Sequence, residues 1–210
     1  MQIDPSNIIH PTAIIHPEAK LGKGNSFGPY CVVGDGVEIG DGNRFIGYVS
    51  IGMEAEHRSY FNQLGKVVIG NNNVVREFVT INSSTAGVTR MGSGCVMLRG
   101  SHLSHDSVLE DNVTVSCSVL IGGESYIMQG ANLGLACVLH QRQTVGSFAM
   151  IGMGTVIPKG AEIAPAGVYV GNPARFLKRN SIGIERAGIT STALEKEIER
   201  FHSLRQRPPL

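Results

Sequence analysis

From residue 91 the chain reads MGSGCV MLRGSH LSHDSV LEDNVT VSCSVL IGGESY IMQGAN LGLACV LHQRQT VGSFAM IGMGTV IPKGAE, and every block of six opens on an apolar residue. The anchors run from Met91 through Met97, Leu103, Leu109, Val115, Ile121, Ile127, Leu133, Leu139, Val145, Ile151 and Ile157 to Ile163. The same period occupies the first part of the chain, at Ile9, Ile15, Leu21, Phe27, Val33, Ile39, Phe45 and Ile51. It returns in phase at Ile69, Val75 and Ile81, and glycine often follows the anchor, as at Gly22, Gly28, Gly122 and Gly146.

A period of six matches neither a helix nor a flat strand, whose side chains repeat at 3.6 and 2. It suits a three-sided prism in which each side is a short strand and each corner a turn. Every sixth side chain then points inward, and three hexads make one coil of about eighteen residues. Glycine beside the anchor supplies turn conformations that other residues resist. The reading is all-β, a parallel β-helix built from hexapeptide repeats over residues 1–175. Residues 176–210 form a short extension in which Ala193 to Leu204 reads as one charged α-helix, closed before Arg207-Pro208-Pro209 and acting as a solvated tail or a packing strap.

Composition narrows the function. The 42% hydrophobic content allows one continuous core, and the absence of Trp suits a narrow interior. A net charge of +1 leaves no electrostatic footprint for nucleic acid. No apolar stretch reaches the length of a membrane span, and Met1-Gln2-Ile3-Asp4-Pro5 lacks a signal-peptide layout. Cys31, Cys95, Cys117 and Cys137 are scattered without a CxxC pair, which points to reduced thiols and a cytoplasmic location.

Regular hexads build a scaffold, so departures from the period mark where function would sit. One departure is 53–66, with Glu54, Glu56, His57, Arg58, Ser59, Asn62 and Gln63, read as a loop leaving the prism. A second is 82–90, a Ser/Thr/Gly-rich segment four residues longer than the period. In Gly100-Ser101-His102-Leu103-Ser104-His105-Asp106 the anchor is Leu103, so His105 lies two positions past it near a corner. Eighteen residues on is Gly123, and eighteen more is Gln141 beside His140. A base, a backbone site without a side chain and a His–Gln pair therefore share one edge. An imidazole can take a hydroxyl proton at cellular pH, and a glycine amide can stabilise an oxyanion. The same residues also fit two other readings: polar corner residues bonded to their neighbours, or zinc ligands contributed by three chains.

The tract His102-Leu103-Ser104-His105-Asp106, Gly122-Gly123 and His140-Gln141 closely resembles the active-site tract of the bacterial UDP-N-acetylglucosamine O-acyltransferase family of lipid A biosynthesis. The similarity extends to His10-Pro11-Thr12-Ala13, Arg76-Glu77, Val79-Thr80-Ile81 and Gly171-Asn172-Pro173-Ala174, and covers roughly residues 8–190. This resemblance implies a left-handed prism, an exception to the right-handed crossover rule, assembled as a homotrimer with sites between subunits. It implies that His105 is the general base for a sugar 3-hydroxyl and that Asp106 orients it. Acyl-carrier protein would be the acyl donor, with Gly123 in the oxyanion hole. His102, His140 and Gln141 would line the site, Asn180 and Arg186 would contact the nucleotide, and Met153 would limit acyl length. The family needs no metal or cofactor. The chain departs from the family pattern at His57-Arg58-Ser59-Tyr60, Asn82-Ser83-Ser84-Thr85, Glu124 and Ala187, all on the recognition side. Two alternatives stand beside this reading: a coenzyme A-dependent N-acyltransferase for a nucleotide-linked amino sugar, and a non-catalytic trimeric scaffold.

Overall fold

The structure, a computed structural model, describes residues 3–60 and 65–206. Asn62 and Gln63 of the first departure, Met1-Gln2 and the segment Arg207-Pro208-Pro209 lie outside the described residues.

The period of six builds a parallel β-helix. Three sheets of ten, eight and seven strands run along the molecule, and each short strand pairs with its counterpart one coil away. Ile8 pairs with Ser26 and Val138 with Val156, the eighteen-residue step expected of three hexads. Anchors from Phe27 to Ile163 are buried, whereas Ile9, Ile15 and Leu21 in the first coils are only partly so.

The anchors are half of the interior. Residues two positions earlier also point inward, among them Ala19, Val49, Val79, Val113, Ala131 and Ala149. Cys31, Cys95 and Cys137 occupy this second set and are buried, Cys117 is half-buried, and all four are free thiols. Burial pushes the Cys95 thiol up to about 11 and the Cys137 thiol to about 12, so both stay protonated and inert. Polar members of the second set pair with one another. The side-chain oxygens of Asn25, Asn43 and Asn73 accept from the backbone N–H of Asn43, Asn73 and Cys95 at 2.9, 3.0 and 2.7 Å. Coil stacks on coil through this buried amide ladder, each bond contributing about 0.5–1.5 kcal/mol net.

Both departures from the period fall on the edge between the eight- and seven-stranded faces. Strand Ser50–Met53 ends the eight-stranded side of one coil, and Lys66–Ile69 opens the seven-stranded side. Because Val67 to Ile69 pair directly with Val37 to Ile39, the chain leaves the prism after Met53 and rejoins it at Lys66, as the loop reading expects. One coil later the same corner is longer than the regular turn. Strand Thr80–Asn82 is followed by Val88–Met91, so the second departure is a short turn at 83–87, and 88–90 return to the sheet.

At the C-terminal end, Arg175–Arg179 pairs antiparallel with Gly167–Val170 and closes the ten-stranded face. Two helices follow where the sequence points to one: α1 (Ser181–Ala187) and α2 (Ser191–Arg205). Asn180 caps α1, accepting from Gly183 N–H at 3.1 Å, which is why the chain turns helical there. Thr190 caps α2 in the same way, accepting from Ala193 N–H at 3.2 Å. Helix α2 is a packing strap rather than a tail. Leu194 and Phe201 are buried, Glu197 meets Ser147, Arg200 pairs with Glu110, and Arg205 pairs with Glu162 at 2.9 Å. No helix among the described residues is long and apolar enough to cross a membrane.

Candidate active site

The edge that carries both departures also carries His105. Its corner, residues 104–107, joins strand His102–Leu103 of the eight-stranded face to Val108–Leu109 of the seven-stranded face. The next two corners along the same edge are 122–125 and 140–143. Backbone bonds stack them: Glu124 N–H donates to His105 O at 2.9 Å, and Arg142 N–H to Gly123 O at 2.8 Å.

His105 is 5% exposed, and its Nδ1 lies 2.9 Å from Asp106 Oδ2. A carboxylate accepts only, so the neutral ring carries its proton on Nδ1 and presents Nε2 as a lone pair. Gly123 is the reason that lone pair is accessible. A Cβ built at Gly123 would stand 2.5 Å from His105 Nε2, closer than any side chain tolerates, so only glycine leaves the ring this position. The Gly123 N–H donates to no acceptor among the described residues, and it lies one coil above His105.

Asp106 is held by five donors. Oδ2 accepts from Thr85 N–H at 2.9 Å, Thr85 Oγ1–H at 2.6 Å and His105, while Oδ1 accepts from Ala86 N–H at 3.3 Å and Gly87 N–H at 2.8 Å. Burial alone would raise the Asp106 carboxyl, but the bonds from His105, Thr85 and Gly87 outweigh it and hold the group well below the usual carboxylate range. The Asp106 backbone also adopts a left-handed φ of 57°, and its N–H donates to Thr89 Oγ1 at 2.8 Å. The overlong turn at 83–87 is therefore a cradle for the Asp106 carboxylate, a role the sequence did not reveal. The signal was present as Ser/Thr and Gly in an overlong corner.

His102, on the neighbouring strand, faces outward with Nδ1 at 2.7 Å from Thr80 Oγ1. Burial pushes its imidazole down, partly offset by the Glu56 carboxylate, which favours the neutral ring. His102, Glu56, Ser104, Leu120, Gly122 and Leu139 line a cleft of about 440 Å³ on the eight-stranded face. Outward-facing Leu120 and Val138 continue an apolar path across this face. Along its far edge Cys117, Leu135 and Met153 follow one another at eighteen-residue steps, and Met153 is 73% exposed.

On the other side of the His105 edge, His140 and Gln141 are exposed and line a second cleft of about 500 Å³ with Asp106, Arg142, Lys159 and Arg205. Arg142 is bidentate to Glu124, at 3.0 and 2.8 Å. Asn180 and Arg186 are not brought to this edge. Asn180 donates from Nδ2 to Phe148 O at 2.8 Å, at the edge between the seven- and ten-stranded faces, so both ends of its amide are committed. Arg186 is exposed in the last turn of α1. His57, placed by the sequence in a recognition-side departure but not beside the base candidate, meets His105 nearly perpendicularly with ring centroids 5.4 Å apart. No group of three or more His, Cys, Asp or Glu is gathered for a metal among the described residues.

The arrangement is an acid–base edge: an oriented imidazole, a free backbone N–H one coil above it and an apolar path leading away. No family model matches the chain. Among curated proteins it is similar to the acyl-(acyl-carrier-protein)–UDP-N-acetylglucosamine O-acyltransferase of Gloeothece citriformis, 33% identical over 153 residues, which cover 72% of this chain and 55% of that protein. It is also similar to that of Xanthomonas campestris pv. campestris, 40% identical over 124 residues, 49% of this chain and 47% of that protein. The chain spans about half the length of the curated relatives it matches. Among solved structures, the UDP-N-acetylglucosamine acyltransferase of Bacteroides fragilis superposes with a TM-score of 0.77 at 27% identity, covering 97% of this chain and 87% of that one. The Campylobacter jejuni enzyme gives 0.76 at 26% identity, covering 96% and 86%.

Proposed function

We propose, from the premise that this chain is a relative of the UDP-N-acetylglucosamine O-acyltransferases, that it is an acyltransferase. It moves a 3-hydroxyacyl chain from acyl-carrier protein to the 3-hydroxyl of UDP-N-acetylglucosamine or a related UDP-amino sugar. One observation carries the reading: His105 Nδ1 is tied to Asp106, and its Nε2 stands beneath Gly123.

In this mechanism Nε2 takes the proton of the sugar hydroxyl as the oxygen attacks the thioester carbonyl. The carbonyl oxygen becomes an oxyanion that the Gly123 N–H stabilises. Asp106 fixes the ring and balances the imidazolium that forms. Collapse of the tetrahedral species breaks the C–S bond, and the leaving sulfur takes the proton back from Nε2. His102 and His140 flank the reacting groups, and Gln141 offers an amide to the acceptor.

The separation of Arg186 from the His105 edge supports a homotrimer in which α1 of one chain supplies its nucleotide contact to a neighbour's site, with Asn180 holding α1 in place. A cytoplasmic location accords with four cysteines that are all free thiols. The test is turnover of UDP-N-acetylglucosamine with acyl donors on acyl-carrier protein and on coenzyme A. Product with the carrier protein alone supports the proposal. Product with coenzyme A and transfer to an amine would favour the N-acyltransferase reading, and none with any donor would favour a scaffold.

The apolar path across the eight-stranded face supports Met153 as the limit on acyl length. Each methylene that still fits gains about 0.8 kcal/mol of burial, while one too many must displace packed atoms at about 1–3 kcal/mol. The expected preference is a chain of medium length rather than a long one, as the resemblance implies for a bulky residue at this position. Met153→Gly shifts the optimum toward longer chains, read as kcat/KM across an acyl series. An identical optimum in both proteins removes Met153 from this role.

A further inference from the structure

The excursion between Met53 and Lys66 sets anchors Ile51 and Ile69 eighteen residues apart where a regular corner sets them six apart, yet its base is tied down. Asn82 Nδ2–H donates to Glu54 O at 2.8 Å, and Ser83 N–H donates to Met53 O at 2.8 Å. The ascending arm, residues 55–60, is thereby folded over the corner of the next coils. It delivers two side chains to the reacting edge: Glu56, which lines the cleft over His102, and His57, whose ring stands against His105.

His57 is oriented by three contacts. Tyr60 packs on it nearly edge-on with centroids 5.1 Å apart, His105 does so at 5.4 Å, and Ser59 N–H approaches its Nδ1 at 3.3 Å. With Nδ1 accepting, the neutral ring carries its proton on Nε2. That N–H is exposed and has no acceptor among the described residues. A neutral donor next to the base is suited to a neutral acceptor oxygen. The Glu56 carboxylate one residue away disfavours an anionic group at the same place.

We infer that His57 is a specificity-determining residue for the acceptor, donating from Nε2 to a carbonyl-bearing substituent next to the hydroxyl that His105 deprotonates. The inference rests on the acyltransferase reading and deepens it. In an amino-sugar acceptor the substituent is the 2-acetamido group, whose carbonyl oxygen is uncharged and adjacent to the 3-hydroxyl. A binding site that commits a polar group to one substituent discriminates against analogues that lack it.

The test compares UDP-N-acetylglucosamine with UDP-glucose on wild type and on H57F. Phenylalanine keeps the ring contacts with His105 and Tyr60 and removes the N–H. The preference for the acetamido sugar, read as the ratio of acceptor KM values, falls about threefold to tenfold in H57F, the range of one neutral hydrogen bond. His57→Gln, which retains an N–H donor, recovers part of it. A ratio that is the same in wild type and H57F would overturn the inference and leave His57 as packing. Calorimetric binding of the two UDP-sugars to the same proteins separates the two readings. A wild-type preference that H57F loses supports the role of His57 even where no acyl transfer is seen. Equal binding of both sugars by the wild type, or binding of neither, sinks it.

Discussion

His105→Ala lowers turnover by roughly two orders of magnitude or more, the usual contribution of a positioned general base, while the prism stays folded. The fold survives because the imidazole points to the edge and not into the column of anchors. Its one side-chain bond is to Asp106, and Asp106 keeps four other donors from Thr85, Ala86 and Gly87. The loss in stability is therefore about 1 kcal/mol, the value of one bond whose partner remains satisfied. In a chain of this size that moves the melting temperature by about 2–4 °C. The measurement is kcat for the acyl-transfer reaction alongside a thermal melt. Near-normal kcat in a folded variant removes His105 as the base. If activity vanished with a chelator and returned with zinc, the edge would instead hold a metal shared between chains.

Asp106→Asn strikes the same machinery from the other side and is expected to cost about 10²- to 10⁴-fold in turnover. The two side chains have the same shape, yet an amide cannot replace this carboxylate. Oδ2 accepts from Thr85 twice and from His105, and Oδ1 accepts from Ala86 and Gly87. Whichever position becomes NH₂ points two hydrogens at groups that are themselves donors. Either the 83–87 turn opens or His105 changes tautomer and loses its lone pair at Nε2. The variant thus fails in kcat more than in acceptor KM.

The same substitution has a signature in pH. The folded Asp106 carboxyl lies below its unfolded value of about 3.9. Its contribution to stability is therefore complete above that value, and it is lost as pH falls from there toward the folded pKa. Urea unfolding of wild type and D106N across the acid range reads it directly, since the other carboxylates are common to both. The stability difference is largest at neutral pH and shrinks below about pH 4. A difference that stays constant through that range would mean that Asp106 is not an ionised, hydrogen-bonded group in the folded protein.

Some of this site could be read before any coordinates. Once the side-chain period is six and the coil eighteen, residue 123 must stand over residue 105 and residue 141 over 123, because parallel stacking admits no slip that would not turn the anchors outward. The buried anchors, the inward positions of Cys31, Cys95 and Cys137 and the alignment of His105 with Gly123 follow from that arithmetic. The second inward set two positions before each anchor was visible as well, in its Ala, Val, Cys and Asn, but small and polar residues there do not stand out against turn residues.

What the sequence determined was therefore everything that repeats, because each hexad meets the same local rules of turn, inward side chain and stacked neighbour. What only the tertiary structure decided was where the irregular pieces come to rest. The 83–87 turn supplies the donors for Asp106 only because it lies one coil below the 104–107 corner. His57 meets His105 because the excursion is tied at its base to Asn82 and Ser83. Helix α2 is a strap because it packs against Thr144–Val145 of the seven-stranded face with Leu194 and Phe201 buried, and Arg200 finds Glu110. Asn180 turned out to be a helix cap on another edge. None of these contacts has a period, and apart from the local Asn180 cap bond they join segments 19 to 90 residues apart, so their partners are set by loop closure and side-chain packing.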